Sequence, residues 1–181
     1  MALCELANDV VRVVQQNQHL AAPIVFAVAF AESIAFMSLL VPGTVILIAA
    51  SGMIGASNIA FLPIWLAAGL GGSLGYALSY WIGWYFKDSI PHIWPFTNKP
   101  DLLPKGYAFF EKWGALGVFF GHFFGPVRAV IPVVAGMCLM KQLPFQIANI
   151  SSAFLWAFGV LAPGAFGIQW LQGLLGEGCG P

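Results

Sequence analysis

The chain has 181 residues, of which 60% are hydrophobic and only 8% are charged, whereas about a quarter of the residues in an ordinary soluble domain are charged. Its seven acidic and seven basic residues cancel, which excludes a basic face for nucleic acid and an acidic tail for a soluble partner. This composition predicts an integral membrane protein whose partners are membrane lipids.

The first 40 residues predict a surface helix followed by a membrane-inserted helix. In residues 1–19 the apolar side chains recur at helical spacing and the charged ones lie elsewhere on the helical wheel. This pattern is typical of an amphipathic helix that lies at the membrane interface. Residues 20–40 are long enough to cross a hydrocarbon core, for which about 20 residues suffice, but they include Glu32.

The sequence VPGT, residues 41–44, interrupts this apolar region. Proline breaks a helix, and the apolar run 45–56 that follows is too short to cross a membrane of ordinary thickness. We therefore predict a hairpin that enters the membrane, breaks at Pro42 and Gly43, and leaves on the side that it entered. Residues 61–86 carry no formal charge and predict a complete transmembrane helix.

A polar segment and a second broken hairpin follow. Residues 87–112 contain four lysines, three acidic residues and four prolines, so they predict the main aqueous loop, with a short surface helix over 105–112. Residues 113–140 are apolar except for His122 and Arg128, and we predict two half-helices there rather than one continuous helix. The breaks are expected at Gly125, Pro126 and Pro132.

The last apolar region, residues 143–176, carries no formal charge and predicts another spanning helix, kinked or ended near Pro163. In the earlier spanning helix, Gly71 and Gly75 are four residues apart. Small residues at this spacing let membrane helices approach closely, so we expect a tight helix contact there.

The predicted elements form two similar units, residues 20–86 and 113–175, each a broken hairpin followed by one spanning helix. Each unit crosses once, so the second starts on the opposite face, and the predicted fold is an all-α membrane protein with two inverted repeats. In transporters of this design, discontinuous helices meet near the midplane and form the substrate site. The lysines then share one side, which the positive-inside rule makes cytoplasmic. These lysines are Lys87, Lys99, Lys105, Lys112 and Lys141.

Glu32 and Arg128 are the charged residues of the predicted membrane segments. An arginine at a helix centre costs about 2.5–3.5 kcal/mol on insertion scales, so such residues are candidates for function. The planar guanidinium of Arg128 suits a phosphate, to which half-helix N-termini add amide donors. Protonation of Glu32 would remove its repulsion of that anion, and His122 is a candidate second donor or proton carrier. In the structural alternative, Glu32 and Arg128 pair with each other, or Arg128 caps carbonyls that its own broken helix leaves free.

Enzyme and metal motifs are missing from the sequence. The three cysteines are widely spaced, and the histidines have no neighbouring Cys or acidic residue at ligand spacing, so we predict no metal and no other cofactor. No HExxH, GxSxG or Walker signature occurs, which argues against an enzyme.

Four segments resemble the DedA family of polytopic membrane proteins, which is related to the eukaryotic VTT-domain scramblases. They are FAESIAFMSLLVPGTVILIAASGMIGA (30–56), GGSLGYALSYWIGWYFK (71–87), FFEKWGALGVFFGHFFGPVRAVIPVVAGMCLM (109–140) and FQIANISSAFLWAFGVLAPGAFG (145–167). The last two are the most specific, and the resemblance covers residues 20–175. It implies two facing re-entrant hairpins, a bacterial plasma-membrane location, and the movement of lipids such as undecaprenyl phosphate, in some members driven by the proton motive force.

By position, Glu32 matches the acidic residue that this family has before the Pro-Gly turn. Arg128 matches the second arginine of its G-R-F-x-P-x-x-R pattern. The resemblance therefore implies that both residues belong to the transport site.

Five positions depart from the family pattern. Thr44 stands where the residue after Pro-Gly is usually acidic, and His122 replaces the first arginine. The usual proline is displaced to Pro126, and Tyr76 and Trp84 replace an acidic and a basic residue. These departures argue against proton coupling and against the family's usual phosphate grip, and they leave the lipid-transport interpretation standing.

The leading hypothesis is a flippase or scramblase that moves a phosphate-bearing polyprenyl or phospholipid head group between the two hairpins. Its predicted substrate-binding residues are Arg128, His122, Glu32 and Thr44, and the helix breaks at the site are Pro42, Gly43, Gly125 and Pro126. One alternative is a membrane enzyme that processes lipid phosphates, which would need a nucleophile and a general acid near Arg128. Another is a non-catalytic membrane organiser with structural charges. The sequence leaves a homo-oligomer, the lipid and the direction of transport open.

Overall fold

A computed structural model gives the fold and describes residues 18–34, 43–56, 60–87, 102–124, 128 and 130–175. Within those ranges every regular element is an α-helix, as the sequence predicts. The helices are α1 (Gln18–Ser33), α2 (Gly43–Ala56), α3 (Phe61–Tyr85), α4 (Leu102–Gly121), α5 (Ile131–Met137) and α6 (Gln142–Leu175). Several predicted features lie outside the described residues: positions 1–17 of the surface helix, most of the aqueous loop, and the breaks at Pro42, Gly125 and Pro126.

Two helices are long and apolar enough to cross a membrane, α3 over Phe61–Tyr85 and α6 over Gln142–Gly167. They confirm the two predicted spanning helices. α6 continues through Pro163 to Leu175, so the alternative in which it ends near this proline is wrong. Membrane helices tolerate an internal proline because local adjustments and neighbouring groups satisfy the freed carbonyl.

The two spanning helices run antiparallel. Three side-chain contacts join them: Trp65 with Phe154, Asn149 with Ser73, and Tyr80 with Phe145. The residue number rises along α3 while it falls along α6, which fixes their opposite directions. α3 and α6 would therefore cross a membrane in opposite directions.

The four shorter helices pack on these two in a regular pattern. We call α1 and α2 the first helix pair, and α4 and α5 the second helix pair. The first helix of each pair packs on the spanning helix that follows it in sequence, so α1 lies on α3 and α4 on α6. The second helix packs on the other spanning helix, so α2 lies on α6 and α5 on α3.

α1 is shorter than predicted. The sequence suggested an apolar helix over residues 20–40, but α1 ends at Ser33, where the backbone N–H of Ile34 donates to the Ala31 carbonyl in a tightened last turn. Over the described residues, α1 has 16 residues and α2 has 14, both fewer than the about 20 that a crossing needs.

α1 and α3 approach closely, as the glycine spacing predicts. A Cβ atom added at Gly71 would lie 2.4 Å from the carbonyl oxygen of Phe26, and one at Gly75 would lie 2.6 Å from that of Phe30. No real side chain sits that near a backbone oxygen. Glycine is therefore required at both positions by the separation of the helices.

Equivalent glycine contacts occur where the second helix of each pair crosses a spanning helix. At the α5–α3 crossing, a Cβ atom at either Gly136 or Gly83 would lie 2.1 Å from a carbonyl oxygen of the facing helix. At the α2–α6 crossing, a Cβ atom added at Gly55 or at Gly164 would lie 2.7 or 2.8 Å, respectively, from a backbone atom of the facing helix. The separation in sequence between the two spanning-helix glycines, Gly83 and Gly164, equals the separation between Gly55 of α2 and Gly136 of α5. The two crossings therefore use glycines at equivalent positions.

α4 contains the predicted surface helix 105–112 in its first part and bends at Gly114. The φ of 48° and ψ of −125° at this residue are not helical. A Cβ atom there would meet nothing within 4 Å, so the backbone conformation rather than lack of space calls for glycine. The bend separates the polar start of α4 from its apolar end.

The predicted break at Pro132 is wrong. Pro132 lies in the first turn of α5, where its missing N–H has no intrahelical partner to lose. The break instead lies before α5, since α4 ends at Gly121. α5 ends in a Schellman turn, in which Leu139 has a φ of 54° and the N–H of Met140 donates to the Ala135 carbonyl.

Candidate functional site

Buried polar side chains gather near the middle of α3 and α6. Two hydrophobic clusters, one with each helix pair, pack on either side of them along the spanning helices. Asn149, Ser152 and Trp156 share one face of α6, because helical positions i, i+3 and i+7 align. The buried polar residues are Glu32, Ser33, Ser51, Ser73, Ser79, His122, Arg128, Asn149 and Ser152, and Tyr76 is buried among them.

Glu32 and Arg128 form an ion pair inside the protein, as the structural alternative anticipated. The Nη1 atom of Arg128 lies 3.4 Å from the Oε1 atom of Glu32, and the two side chains are only 5% and 6% exposed. Arg128 also donates from Nη2 to the Ser33 hydroxyl at 3.3 Å. The Thr44 hydroxyl donates to the same Glu32 oxygen. The Glu32 carboxylate thus joins α1 to Thr44 of α2 and to Arg128.

The helix ends make this pairing electrostatically favourable. Glu32 lies in the last turn of α1, where the negative end of the helix dipole favours a cation, and Arg128 supplies that cation. Thr44 lies in the first turn of α2, where the positive end of the dipole favours the carboxylate. The Glu32 carboxylate therefore lies between the C-terminal end of α1, whose unfavourable dipole Arg128 offsets, and the N-terminal end of α2, whose dipole favours an anion.

The backbone of Arg128 is bonded to a residue that follows α4. Its backbone N–H donates to the Phe124 carbonyl at 2.8 Å. α4 itself closes with two shorter-range bonds, in which the N–H groups of Phe123 and Phe124 donate to the carbonyls of Phe120 and Gly121. These bonds tighten the last turn of α4.

Trp156 of α6 covers the guanidinium of Arg128, whose central carbon lies 4.5 Å from the centroid of the indole ring. A cation over an aromatic face gains about 2 kcal/mol or more when it is desolvated, as this one is. Sequence analysis missed Trp156, because a tryptophan within a long apolar run carries no signal that separates it from core residues.

His122 is fully buried and belongs to the same cluster. Its Nδ1 atom lies 3.4 Å from the Ser152 hydroxyl, and its ring lies 4.4 Å from that of Tyr76 and 5.8 Å from that of Trp156. Since Trp156 contacts both His122 and Arg128, the structure brings together the two residues that the sequence predicted would share a site.

Several polar atoms of the cluster have no hydrogen-bond partner within the part of the chain that the structure describes. They are Glu32 Oε2, Tyr76 Oη, His122 Nε2, Arg128 Nε and Asn149 Oδ1. A buried polar atom without a partner costs about 1–3 kcal/mol. Native interiors contain few such atoms, so five in one cluster are typical of a place that binds water or a polar ligand.

Other residues that the sequence singled out lie in different places. Gly43 is the first residue of α2. Trp84 is exposed at the end of α3, beside Trp81, and so lies away from the cluster. Ser33 and Asn149 were missed, although Asn149 begins the only N-x-S-S sequence of the last apolar run. Among the described residues, no three His, Cys, Asp or Glu side chains are grouped to hold a metal ion.

Comparisons with known proteins match this architecture to one family. The family model of the VTT domain matches residues 41–166, a segment that contains every site residue named above except Glu32 and Ser33. The inner membrane protein YabI of Escherichia coli K12 is 36% identical, over 77% of this chain and 55% of its own length. An uncharacterized membrane protein of Buchnera aphidicola subsp. Acyrthosiphon pisum is 33% identical, over 78% and 55%.

A third relative, the inner membrane protein YghB of E. coli K12, is 28% identical, over 74% of this chain and 61% of its own length. The chain therefore spans somewhat more than half the length of the curated relatives that it matches. No solved structure matches it.

Proposed function

Because the chain belongs to the VTT-domain (DedA) family and is an integral protein of the bacterial inner membrane, we propose that it moves a phosphate-bearing lipid across that membrane as a flippase or scramblase. The observation that carries the proposal is Arg128, a buried guanidinium whose Nε donor has no partner among the described residues. A guanidinium suits phosphate because its donors form a planar fork.

The proposed architecture is a pair of inverted repeats, each a re-entrant hairpin and a spanning helix. The antiparallel α3 and α6, and the two helix pairs that pack on them in the same manner, support it. The glycine crossings at equivalent places on both spanning helices support it as well. In transporters with such repeats the substrate site lies at the repeat interface near the midplane, and the proposal assigns the Glu32–Arg128 pair to that position.

The ion pair has to open for a phosphate to bind. Arg128 can turn part of its fork from Glu32 towards the phosphate while its ring contact with Trp156 is kept. Glu32 is then left with the Thr44 hydroxyl and the N-terminal end of α2, both of which favour a carboxylate. The head group crosses at this place while the acyl or polyprenyl tails stay in the lipid. No covalent bond changes, so no residue is assigned a catalytic role.

A second candidate function, a membrane organiser without transport, is favoured by the ion pair itself. A buried pair with a third hydroxyl partner is a sufficient reason for both charges to exist. This function predicts that the protein works normally when both charges are removed together.

Transport is tested with proteoliposomes that contain labelled undecaprenyl phosphate or a labelled phospholipid. We expect Arg128→Ala to lower the rate of transbilayer movement at least tenfold, and Arg128→Lys to lower it less, because lysine keeps the charge and loses the fork. Lys141→Ala is the matched control, since it removes one positive charge from an exposed position. Wild-type rates in folded Arg128→Ala protein contradict the assignment of Arg128.

A further inference from the structure

The polar atoms without partners fall into two groups. Glu32 Oε2 and Arg128 Nε belong to the ion pair. Tyr76 Oη, His122 Nε2 and Asn149 Oδ1 belong to uncharged side chains, each with no exposed surface. We call these three residues the neutral subsite. Nothing in the transport of a phosphate by Arg128 uses them.

The orientation of the Asn149 amide follows from its neighbours. Its Nδ2 atom lies 2.9 Å from the Ser73 carbonyl oxygen, which can only accept a hydrogen bond. The nitrogen therefore faces Ser73, and it also donates to Gln146 Oε1 at 3.1 Å. The atom that is buried without a partner is consequently the oxygen, which accepts and cannot donate.

The tautomer of His122 is assigned in the same way. The Ser152 hydroxyl has a single proton, which it donates to the Asn149 backbone carbonyl at 3.1 Å. Ser152 Oγ is then an acceptor for His122 Nδ1–H at 3.4 Å, and Nε2 of the neutral ring carries the lone pair. The neutral subsite thus presents two acceptors, together with a Tyr76 hydroxyl that accepts and donates.

The neutral subsite is adjacent to the ion pair. Trp156 contacts the His122 ring on one side and the Arg128 guanidinium on another. The Tyr76 ring lies against His122, 4.4 Å away. Trp156 and its contacts thus bring the His122 and Tyr76 side chains near Arg128, and Asn149 lies on the same face of α6 as Trp156.

We propose that the neutral subsite binds a hydrogen-bond donor on the head group, namely a primary ammonium or a hydroxyl attached beyond the phosphate. The inference rests on the proposed function and gives its substrate class as phospholipids whose head group carries such a donor. A head group without a donor leaves the acceptors of His122 and Asn149 unpaired, and sites built to pair with a donor reject analogues that lack it. An ammonium also cancels the charge that the phosphate adds to the buried ion pair.

The test compares three labelled phospholipids in proteoliposomes: phosphatidylethanolamine with an ammonium donor, phosphatidylglycerol with hydroxyl donors, and phosphatidylcholine with neither. We expect the wild type to move one or both donor lipids about tenfold faster than phosphatidylcholine, the effect of one hydrogen bond to a buried group. Movement of only the first donor lipid identifies the ammonium, and movement of only the second identifies the hydroxyl.

Tyr76→Phe removes one hydroxyl of the neutral subsite. We expect it to lower the ratio of the donor-lipid rate to the phosphatidylcholine rate about 3- to 10-fold. Its melting temperature should stay the same or rise, because the removed hydroxyl is buried without a partner among the described residues. Asn149→Ala should lower the same ratio of rates. Tyr80→Phe, which removes the equivalent atom one turn along α3, where it donates to the Met140 carbonyl, should keep the wild-type ratio.

The two proposals fail in different ways. If the wild type moves phosphatidylcholine as fast as the donor lipids, and Arg128→Ala stops all three, the neutral subsite is overturned and transport stands. An unchanged ratio in both Tyr76→Phe and Asn149→Ala also overturns it. If none of these three lipids and no labelled undecaprenyl phosphate moves above the rate of empty vesicles, the proposed function fails and the neutral subsite fails with it. Movement of undecaprenyl phosphate alone overturns the neutral subsite and leaves transport standing.

Discussion

The two helix pairs meet the spanning helices in the same way but bring opposite charges to the centre. The first helix pair supplies Glu32 together with Thr44, whose hydroxyl donates to the carboxylate. Arg128, which lies between the helices of the second helix pair, finds its partners elsewhere, in Glu32 and Ser33 of α1 and in Trp156 of α6. The anion is thus held partly by its own helix pair, whereas the cation depends on the rest of the molecule. In the proposed transport we therefore expect Arg128, rather than Glu32, to be the partner that moves.

The largest effect should come from breaking the ion pair between the helix pairs. We expect Glu32→Gln and Arg128→Met each to lower the free energy of unfolding by about 3–5 kcal/mol, because each leaves one buried group without its partner. The double variant should recover most of this loss. Thermal unfolding in detergent measures all four proteins of the cycle.

The same four proteins separate transport from structure. The double variant should be folded and yet move lipid at least tenfold more slowly than the wild type, because it lacks the guanidinium. Wild-type transport by the double variant would instead show that both charges are structural and that Arg128 is not the group that binds the head group. Independent losses that simply add in the double variant would contradict the pairing itself.

Thr44 tests whether the first helix pair holds its own anion. Thr44→Val keeps the shape of the side chain and removes the hydroxyl that donates to Glu32. A hydrogen bond to a charged group contributes about 1.5–3 kcal/mol, and we expect a loss of stability of that size. Thr44→Ser keeps the hydroxyl and should lose much less. Equal losses in the two variants would mean that packing of the methyl group, rather than the hydrogen bond, stabilises this position.

The sequence predicts the charged half of the site better than the neutral half. Glu32 and Arg128 stand out because a charge in an apolar run has few explanations other than pairing or function. Trp156 and Asn149 do not stand out. Their roles arise only when α3 and α6 pack antiparallel and place one face of α6 beside His122.

The helices show a similar contrast. The long uncharged runs predict the first residue of α3 and of α6 to within one or two positions. Prolines are less informative, because their effect depends on where the helix begins. Pro132 starts α5 and Pro163 lies within α6, although both look like breaks in the sequence. The bend at Gly114 has no proline near it and depends on a backbone conformation that sequence spacing does not reveal.

The glycine crossings test how similar the two helix pairs are. Gly136→Ala and Gly164→Ala each force a methyl group against the backbone of the facing helix, and overpacking of this kind costs about 1–3 kcal/mol. We expect similar losses of stability at the two crossings. Gly159→Ala is the control, since nothing lies within 4 Å of its Cβ position, and it should gain up to about 1 kcal/mol from helix propensity. A loss at only one crossing would contradict the equivalence of the helix pairs.

The smallest effect should come from Ser33, the partner of Arg128 that lies beside Glu32. Its hydroxyl accepts from Arg128 Nη2 at 3.3 Å, so we expect Ser33→Ala to cost about 1 kcal/mol of unfolding free energy. Ser151→Ala, an exposed serine of α6 that bonds only to its own helix, should change stability by less than about 0.5 kcal/mol. The loss at Ser33 should disappear in the Arg128→Met background, because the donor is gone and the two effects are then not additive. A loss that persists there would show that Ser33 stabilises α1 or α3 rather than the cation, and the dependence of Arg128 on the first helix pair would reduce to its contact with Glu32.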